Sequence, residues 1–144
     1  MNLYLDTSAL IKRYVNETGS PEVWEWIHSA DDTATVLTTR AEMSAALNRL
    51  LRMKFLSQND HASALAEFRA DWMYYHRLPV TEPLVARAEA LACEHNLRGD
   101  DAIHLAAALN WQDLLGLPVT VVTYDKELTE AARALGMEVL PEKQ

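Results

Sequence analysis

The sequence opens on Met1-Asn-Leu-Tyr-Leu-Asp-Thr-Ser-Ala-Leu10, and this stretch decides the fold that we predict. Its short apolar run, Leu3-Tyr-Leu5, is typical of a buried strand, and a helical pattern follows directly. Asp6 therefore stands at the carboxyl end of the strand, where open α/β sheets bind their ligands. Asp6, Thr7 and Ser8 are also good helix N-caps, so this stretch alone favours capping over catalysis.

Apolar, β-branched runs alternate with helical patterns along the rest of the chain. This alternation predicts a three-layer α/β/α fold with a mostly parallel central sheet of about four or five strands. The predicted strands cover residues 3–5, 35–39, 78–80, 117–123 and 137–140. The predicted helices cover residues 10–15, 21–27, 40–53, 57–76, 82–96, 102–115 and 127–135. We predict one domain over residues 1–140 and a polar tail over residues 141–144.

Composition limits the class of protein. The chain has 144 residues, 49% of them apolar and 24% charged, which is typical of one globular domain. It has no apolar run of about 18 residues and no secretory leader, so we expect a cytoplasmic protein without a membrane span. The single cysteine, Cys93, is expected to be buried and inert. A net charge of −8 argues against a broad basic face for nucleic acid, but leaves room for local phosphate contacts through Arg49 and Arg52.

Four acidic residues are predicted to meet at one edge of the sheet. Asp6 ends the first strand, and Asp125 follows the strand that ends at Thr123. Glu42 and Asp101 each lie in the first turn of a helix, and helices that follow parallel strands begin at that same edge. Each acid alone has an ordinary explanation as a solvated residue, a turn residue or a helix cap. Only their shared predicted position favours a common site.

Carboxylates gathered in this way need a cation. Two of them about 5 Å apart repel by roughly 3 kcal/mol at an effective dielectric of 20. A ligand set made only of oxygens selects a hard divalent ion, Mg²⁺ or Mn²⁺. Water bound to such an ion is a nucleophile for phosphodiester hydrolysis. Thr7 or Ser8, just beyond Asp6, is a candidate to position a water or a phosphate oxygen.

Four short motifs, in order along the chain, resemble those of PIN-domain ribonucleases, and most of all the VapC-type toxins of bacterial and archaeal toxin–antitoxin modules. The motifs are Leu5-Asp-Thr-Ser-Ala-Leu10, Arg40-Ala-Glu-Met-Ser-Ala-Ala-Leu47, Asp101-Ala-Ile-His-Leu-Ala106 and Thr123-Tyr-Asp-Lys126. The resemblance covers nearly the whole chain. Its specificity comes from the order and separation of the four motifs, because no single one is decisive.

The resemblance implies a Mg²⁺- or Mn²⁺-dependent endoribonuclease that acts on RNA and leaves a 5′-phosphate and a 3′-hydroxyl. It also implies a homodimer and a small cognate antitoxin protein whose tail blocks the acidic pocket. Carried over by position, the residues of the metal site are Asp6, Glu42, Asp101 and Asp125. The candidates for polar support are Thr7, Ser8 and Thr123.

The third motif departs from the family pattern. Asp100 stands before Asp101, where the family usually has an uncharged residue. We assign Asp101 to the site because the matching run starts there, and expect Asp100 to cap the helix or add an outer carboxylate. His104, in the same motif, is expected to be a hydrogen-bonded, half-buried residue rather than a catalytic base, because a metal-bound water lessens the need for one.

Two other functions fit parts of the sequence. One is a phosphohydrolase of the haloacid-dehalogenase type, with Asp6 as covalent nucleophile. Against it, the second aspartate of that family would fall at Ser8, and the Gly99-Asp-Asp101 run follows a helical stretch instead of a strand. The other is a catalytically silent binding module that keeps the fold for partner recognition, since fold alone does not fix function.

Overall fold

The structure is a computed structural model that describes residues 1–143. Its strands are β1 (Asn2–Leu5), β2 (Asp32–Val36), β3 (His76–Leu78), β4 (Val119–Val122) and β5 (Glu138–Leu140). Its α-helices within those residues are α1 (Thr7–Leu10), α2 (Ser20–Ser29), α3 (Thr39–Arg52), α4 (Gln58–Asp71), α5 (Glu82–His95), α6 (Gly99–Leu115) and α7 (Lys126–Ala134). Short 3-10 helices follow α1 and α4, at Ile11–Arg13 and Trp72–Tyr74.

All five strands run parallel in the order β3-β2-β1-β4-β5. The chain builds outward from β1 to β3 on one side, then returns to β1 and builds β4 and β5 on the other side. Leu3 of β1 aligns with Thr33 of β2 and with Thr120 of β4. Ligands of parallel sheets bind beyond the carboxyl ends of the strands where the order reverses. The fold therefore places its crevice between the ends of β1 and β4.

The core has two apolar clusters, one on each face of the sheet. Tyr4 packs in the cluster formed with α5 and α6, whereas Leu3 and Leu5 pack in the cluster formed with α1 to α4. Successive strand residues point to opposite faces, so β1 contributes to both clusters. Helix α6 is buried on most sides, as its apolar composition predicted. The predicted three-layer α/β/α fold is thus confirmed.

The second strand lies closer to the amino terminus than predicted. We expected residues 35–39, but β2 spans Asp32–Val36. Thr39 instead begins α3, where its hydroxyl lies 2.7 Å from the hydroxyl of Thr35. The β-branched residues of this segment have high strand propensity, which is why the predicted strand extends to Thr39. In the structure Thr39 is helical, and its buried hydroxyl pairs with that of Thr35.

The third strand is displaced in the same direction. Residues 78–80 were expected to be the strand and residues 57–76 a single helix. In the structure α4 ends at Asp71, a 3-10 turn follows, and β3 spans His76–Leu78. Apolar residues continue at helical spacing through Tyr75, which is buried beyond the end of the helix. The spacing alone therefore did not reveal where the helix stops.

Four further expectations concern a helix cap, the cysteine, membrane spans and the tail. Helix α6 begins at Gly99 with Arg98 as its N-cap, so Asp100 does not cap it. Cys93 is exposed, not buried. Over residues 1–143, no helix is both long and apolar enough to cross a bilayer. The predicted tail ends in Gln144, which lies outside the described residues, and the division of the chain at residue 140 stays a prediction.

Leu105→Ala should lower the free energy of unfolding by about 2–5 kcal/mol, because a fully buried leucine in α6 is replaced by a cavity. Leu114→Ala is the matched control, since Leu114 lies on the same helix and is 81% exposed. Its effect should stay within about 0.5 kcal/mol. Urea unfolding followed by circular dichroism measures both, and equal losses would contradict the assignment of α6 to the core.

Candidate functional site

Asp6 follows β1 directly and is almost fully buried, at 3% exposure. Its Oδ1 accepts hydrogen bonds from the Ala9 backbone N–H at 3.0 Å and the Ser8 hydroxyl at 2.7 Å. Its Oδ2 accepts a bond from the Thr123 hydroxyl at 2.5 Å. Burial raises the pKa of Asp6, and these donors oppose that rise. Asp6 is therefore the N-cap of α1 and also a fixed carboxylate at the edge of the sheet.

Side chains beyond β1 and β4 join the ends of these two strands. The Thr123 hydroxyl, which donates to Asp6, accepts the Asp125 backbone N–H at 3.0 Å. The Ser8 hydroxyl, which also donates to Asp6, accepts the Tyr124 backbone N–H at 2.9 Å. Ser8 and Thr123 thus hold Asp6 in place while fixing the chain that leads into α7.

Asp125, like Asp6, caps a helix and also lies at the carboxyl edge of the sheet. It is the N-cap of α7, with its Oδ1 accepting the Leu128 backbone N–H at 2.9 Å. Its Oδ2 lies 4.0 Å from Nη2 of Arg98. One oxygen therefore serves the helix, and the other faces the charged groups of the site.

Glu42 belongs to a hydrogen-bonded chain that ends in the core. Its Oε1 accepts the Thr7 hydroxyl at 2.7 Å and lies 2.7 Å from Nε2 of His104, while Nδ1 of His104 lies 2.8 Å from the Tyr4 hydroxyl. Burial opposes charge on both partners of the Glu42–His104 pair. The hydrogen bond and attraction between them outweigh it, lowering the pKa of Glu42 and raising that of His104. These contacts occupy both ring nitrogens, so His104 is a buried, hydrogen-bonded residue rather than an available base.

Asp101 stands in the first turn of α6, with its side chain 10% exposed. Burial, followed by the charges of Asp125 and Asp100, raises the pKa of Asp101 to about 6. Nε of Arg98 lies 3.4 Å from Oδ2 of Asp101 and 3.9 Å from Oδ1 of Asp100. The Arg98 side chain therefore bridges the amino ends of α6 and α7.

The four predicted acids lie at the same carboxyl edge of the sheet. Thr123 connects Asp6 with Asp125, Arg98 faces Asp101 and Asp125, and Glu42 accepts its bond from Thr7, the neighbour of Asp6 in the chain. Their part in catalysis or metal binding stays a prediction. Sequence reasoning missed Arg98 and Tyr4 as members of this edge. The spacing of three residues between Arg98 and Asp101, which brings side chains together on a helix, was an available signal for the first.

Arg49 and Arg52 lie at the other end of α3 from Glu42. They follow it by seven and ten residues, or about 10 and 15 Å along the helix axis. Both line a groove of about 570 Å³ together with the apolar side chains of Met53 and Phe55. The structure does not bring these arginines to the acidic edge, and phosphate contact by them stays a prediction.

The donor chemistry of the acidic edge fits a hard divalent cation. Asp6, Glu42, Asp101 and Asp125 offer only carboxylate oxygens, and repulsion by Asp125 contributes to the raised pKa of Asp101, a cost that a cation would relieve. Among residues 1–143, however, no group of three or more His, Cys, Asp or Glu side chains is arranged to hold a metal ion. The carboxylates share an edge, and their side chains would have to move to share an ion.

Comparison with known proteins places the chain in a family. The family profile described as "PIN domain" matches residues 3–134, and the chain belongs to the PIN-domain family. One relative is Ribonuclease VapC45 of Mycobacterium tuberculosis (strain CDC 1551 / Oshkosh). It is 33% identical over 139 residues, which cover 96% of this chain and 94% of the relative.

Solved structures share the fold. FitAcB from Neisseria gonorrhoeae superposes with a TM-score of 0.67 at 20% identity, covering 95% of each chain. A toxin–antitoxin complex from Klebsiella pneumoniae superposes with a TM-score of 0.57 at 19% identity, covering 82% of this chain and 83% of that one. At these identities the likeness concerns the fold alone.

Asp101→Asn should make the protein more stable than wild type at pH 7 in EDTA, with the gain vanishing near pH 4. Because the folded pKa of about 6 exceeds the ordinary value of 3.8, the folded form keeps a proton that the unfolded form loses. The contribution of Asp101 to stability therefore falls as pH rises from about 4 to about 6. An amide at this position has no such cost.

Thermal unfolding between pH 4 and pH 8 measures this difference. Asp60→Asn is the matched control, since Asp60 is an exposed acid in the first turn of α4. A gain with the same pH dependence in the control would contradict the assignment to Asp101.

Proposed function

We propose that this chain is a divalent-cation-dependent endoribonuclease and the toxin of a toxin–antitoxin pair. The observation that supports the proposal is the set of contacts beside the reversal of the strand order: Thr123 joins Asp6 to the backbone of Asp125, Arg98 faces Asp101 and Asp125, and Thr7, next to Asp6, donates to Glu42. The VapC-type relative is named a ribonuclease, which supports RNA as the substrate. The proposed cation is Mg²⁺ or Mn²⁺.

Each acid has a distinct task in this proposal. Asp6 is held by Ser8 and Thr123, so its carboxylate presents a fixed ligand. Glu42 stays ionised through its pairing with His104, and because both of its hydrogen bonds use Oε1, we assign Oε2 to the cation or its water. The bound cation would supply Lewis-acid activation of a water and neutralise charge on the phosphate.

Asp101 and Asp125 complete the proposed ligand set from the amino ends of α6 and α7. Both face the Arg98 guanidinium, and the Asp125 carboxylate keeps one oxygen for its helix. A cation between them would remove the repulsion that raises the pKa of Asp101. We propose that Asp100, at the exposed margin, contributes charge without direct ligation.

The proposed protein partner is a cognate antitoxin. The structural neighbour from Klebsiella pneumoniae is a toxin–antitoxin complex, which supports a partner of this class. We propose that a segment of the antitoxin covers the acidic edge and excludes RNA. The homodimer and the cytoplasmic location, where RNA substrates are available, are part of the same proposal.

An aspartyl-nucleophile phosphohydrolase is the competing reaction. Both oxygens of Asp6 accept hydrogen bonds, and the residue is 3% exposed, so its carboxylate is held in one orientation instead of being free to swing towards a phosphorus atom. Ser8 occupies the position where that class has its second aspartate. These contacts favour a carboxylate that acts as a ligand.

Wild-type protein should cleave mixed cellular RNA with Mg²⁺ or Mn²⁺, and EDTA should stop the cleavage. Asp6→Asn should reduce the rate by at least about 100-fold, because it removes the charge of a ligand while an amide can still cap α1. Gel analysis of the RNA, with circular dichroism of each variant, measures rate and fold together. Asp60→Asn is the control for a change of the same type at an exposed acid.

Three results would redirect the assignment. Cleavage by Asp6→Asn equal to wild type would contradict the metal-site proposal. A phosphate covalently attached to Asp6 after acid quenching would establish the phosphohydrolase reaction. Protein that binds a partner yet cleaves no RNA with either cation would identify a silent binding module.

A further inference from the structure

Arg98 is the cationic side chain that meets the acids at the amino ends of α6 and α7. Within residues 1–143, the acids of the site form ion pairs only with Arg98 and with the buried His104. The Arg98 side chain is 76% exposed, and its three carboxylate contacts, at 3.4, 3.9 and 4.0 Å, are all longer than a normal charge-assisted hydrogen bond. The guanidinium is thus near the acids but not bound tightly to any of them.

The backbone position of Arg98 leaves its side chain able to move away from the acids. Arg98 is the N-cap of α6 in an extended conformation, and its side chain makes no cap bond to the helix. Rotation about its side-chain bonds alone would turn the guanidinium from the acids towards solvent. No helix or strand has to move.

An acidic edge in a chain of net charge −8 repels RNA unless some cationic group meets the phosphate. Guanidinium groups suit this task, since they bind phosphate oxygens with two parallel hydrogen bonds. Arg49 and Arg52 lie on the far end of α3. Arg98 is already in contact with Asp101 and Asp125, beside the proposed reaction centre.

We propose that Arg98 is an internal counter-ion that a divalent cation displaces, and that the displaced guanidinium then binds a phosphate of the RNA. Without the cation, the guanidinium neutralises Asp101 and Asp125. When the carboxylates turn to the cation, two positive groups would compete for them, so the guanidinium moves to the mouth of the site. Cation loading and RNA binding are therefore coupled through one side chain. This inference rests on the proposed ribonuclease function.

The first measurement is Mn²⁺ affinity, followed by electron paramagnetic resonance without RNA. Arg98→Gln should bind Mn²⁺ about fivefold more tightly than wild type at low salt, because it removes an exposed competing charge. The difference should shrink as salt rises. Arg98→Lys keeps the charge and should resemble wild type.

The second measurement is the affinity for a fluorescent oligoribonucleotide, in EDTA and with Ca²⁺, with a gel to verify that the RNA stays intact. In EDTA, wild type and Arg98→Gln should bind RNA equally. With Ca²⁺, the bound cation should raise the RNA affinity of both proteins, and wild type should gain more. Its slope of log affinity against log salt should be steeper by about 0.7, the value for one phosphate contact on a single strand.

Arg69→Gln is the control for net charge, since Arg69 is exposed on α4. Mn²⁺ affinity of Arg98→Gln equal to that of Arg69→Gln would overturn the counter-ion role. A Ca²⁺-dependent gain in RNA affinity in Arg98→Gln equal to wild type would overturn the phosphate contact, and Arg98→Lys behaving like Arg98→Gln would overturn the dependence on charge. RNA cleavage by wild type but not by Asp6→Asn tests the ribonuclease proposal separately.

Discussion

The arrangement of the carboxyl edge of the sheet depends on the hydrogen bonds that the Asp6 carboxylate accepts. It accepts three hydrogen bonds, from the Ala9 backbone, from Ser8 and from Thr123, and so joins β1, α1 and the chain after β4. Because the two strands are adjacent at the point where the sheet order reverses, one buried carboxylate fixes both walls of the crevice. Burial of an acid is costly unless donors surround it, and here the donors are the same groups that shape the site.

Two basic side chains of different character face the acids of this edge. His104 is buried and bonded on both ring nitrogens, so its ring is held in place in the core beside Glu42. Arg98 is exposed and loosely held, so its charge can leave Asp101 and Asp125. The Glu42 side of the site therefore keeps a fixed partner, whereas Asp101 and Asp125 can exchange the Arg98 guanidinium for another cation.

Sequence patterns were sufficient for the layers of the fold and for the common edge of the four acids. Asp6 and Asp125 come after strands, and Glu42 and Asp101 lie in the first turns of helices that follow or precede a strand, positions that lead to the same edge of a parallel sheet. The pairing of Tyr4 with His104, 100 residues apart, depends on how α6 packs on β1, which no local pattern encodes. The ends of β2 and β3 were misplaced because strand propensity and helical spacing continue past the residues where tertiary contacts change the backbone.

The two roles of Asp6 and Asp125, as helix caps and as acids of the proposed site, have an evolutionary consequence. Both are helix N-caps, so selection for folding alone would retain a small polar residue at each place even in descendants that no longer act on RNA. Glu42 is retained for a different reason, since its loss would leave Nε2 of the buried His104 without its hydrogen-bond partner. Asp101 neither caps a helix nor supports a buried group. We expect lineages under relaxed selection to lose Asp101 first, without a change in the fold.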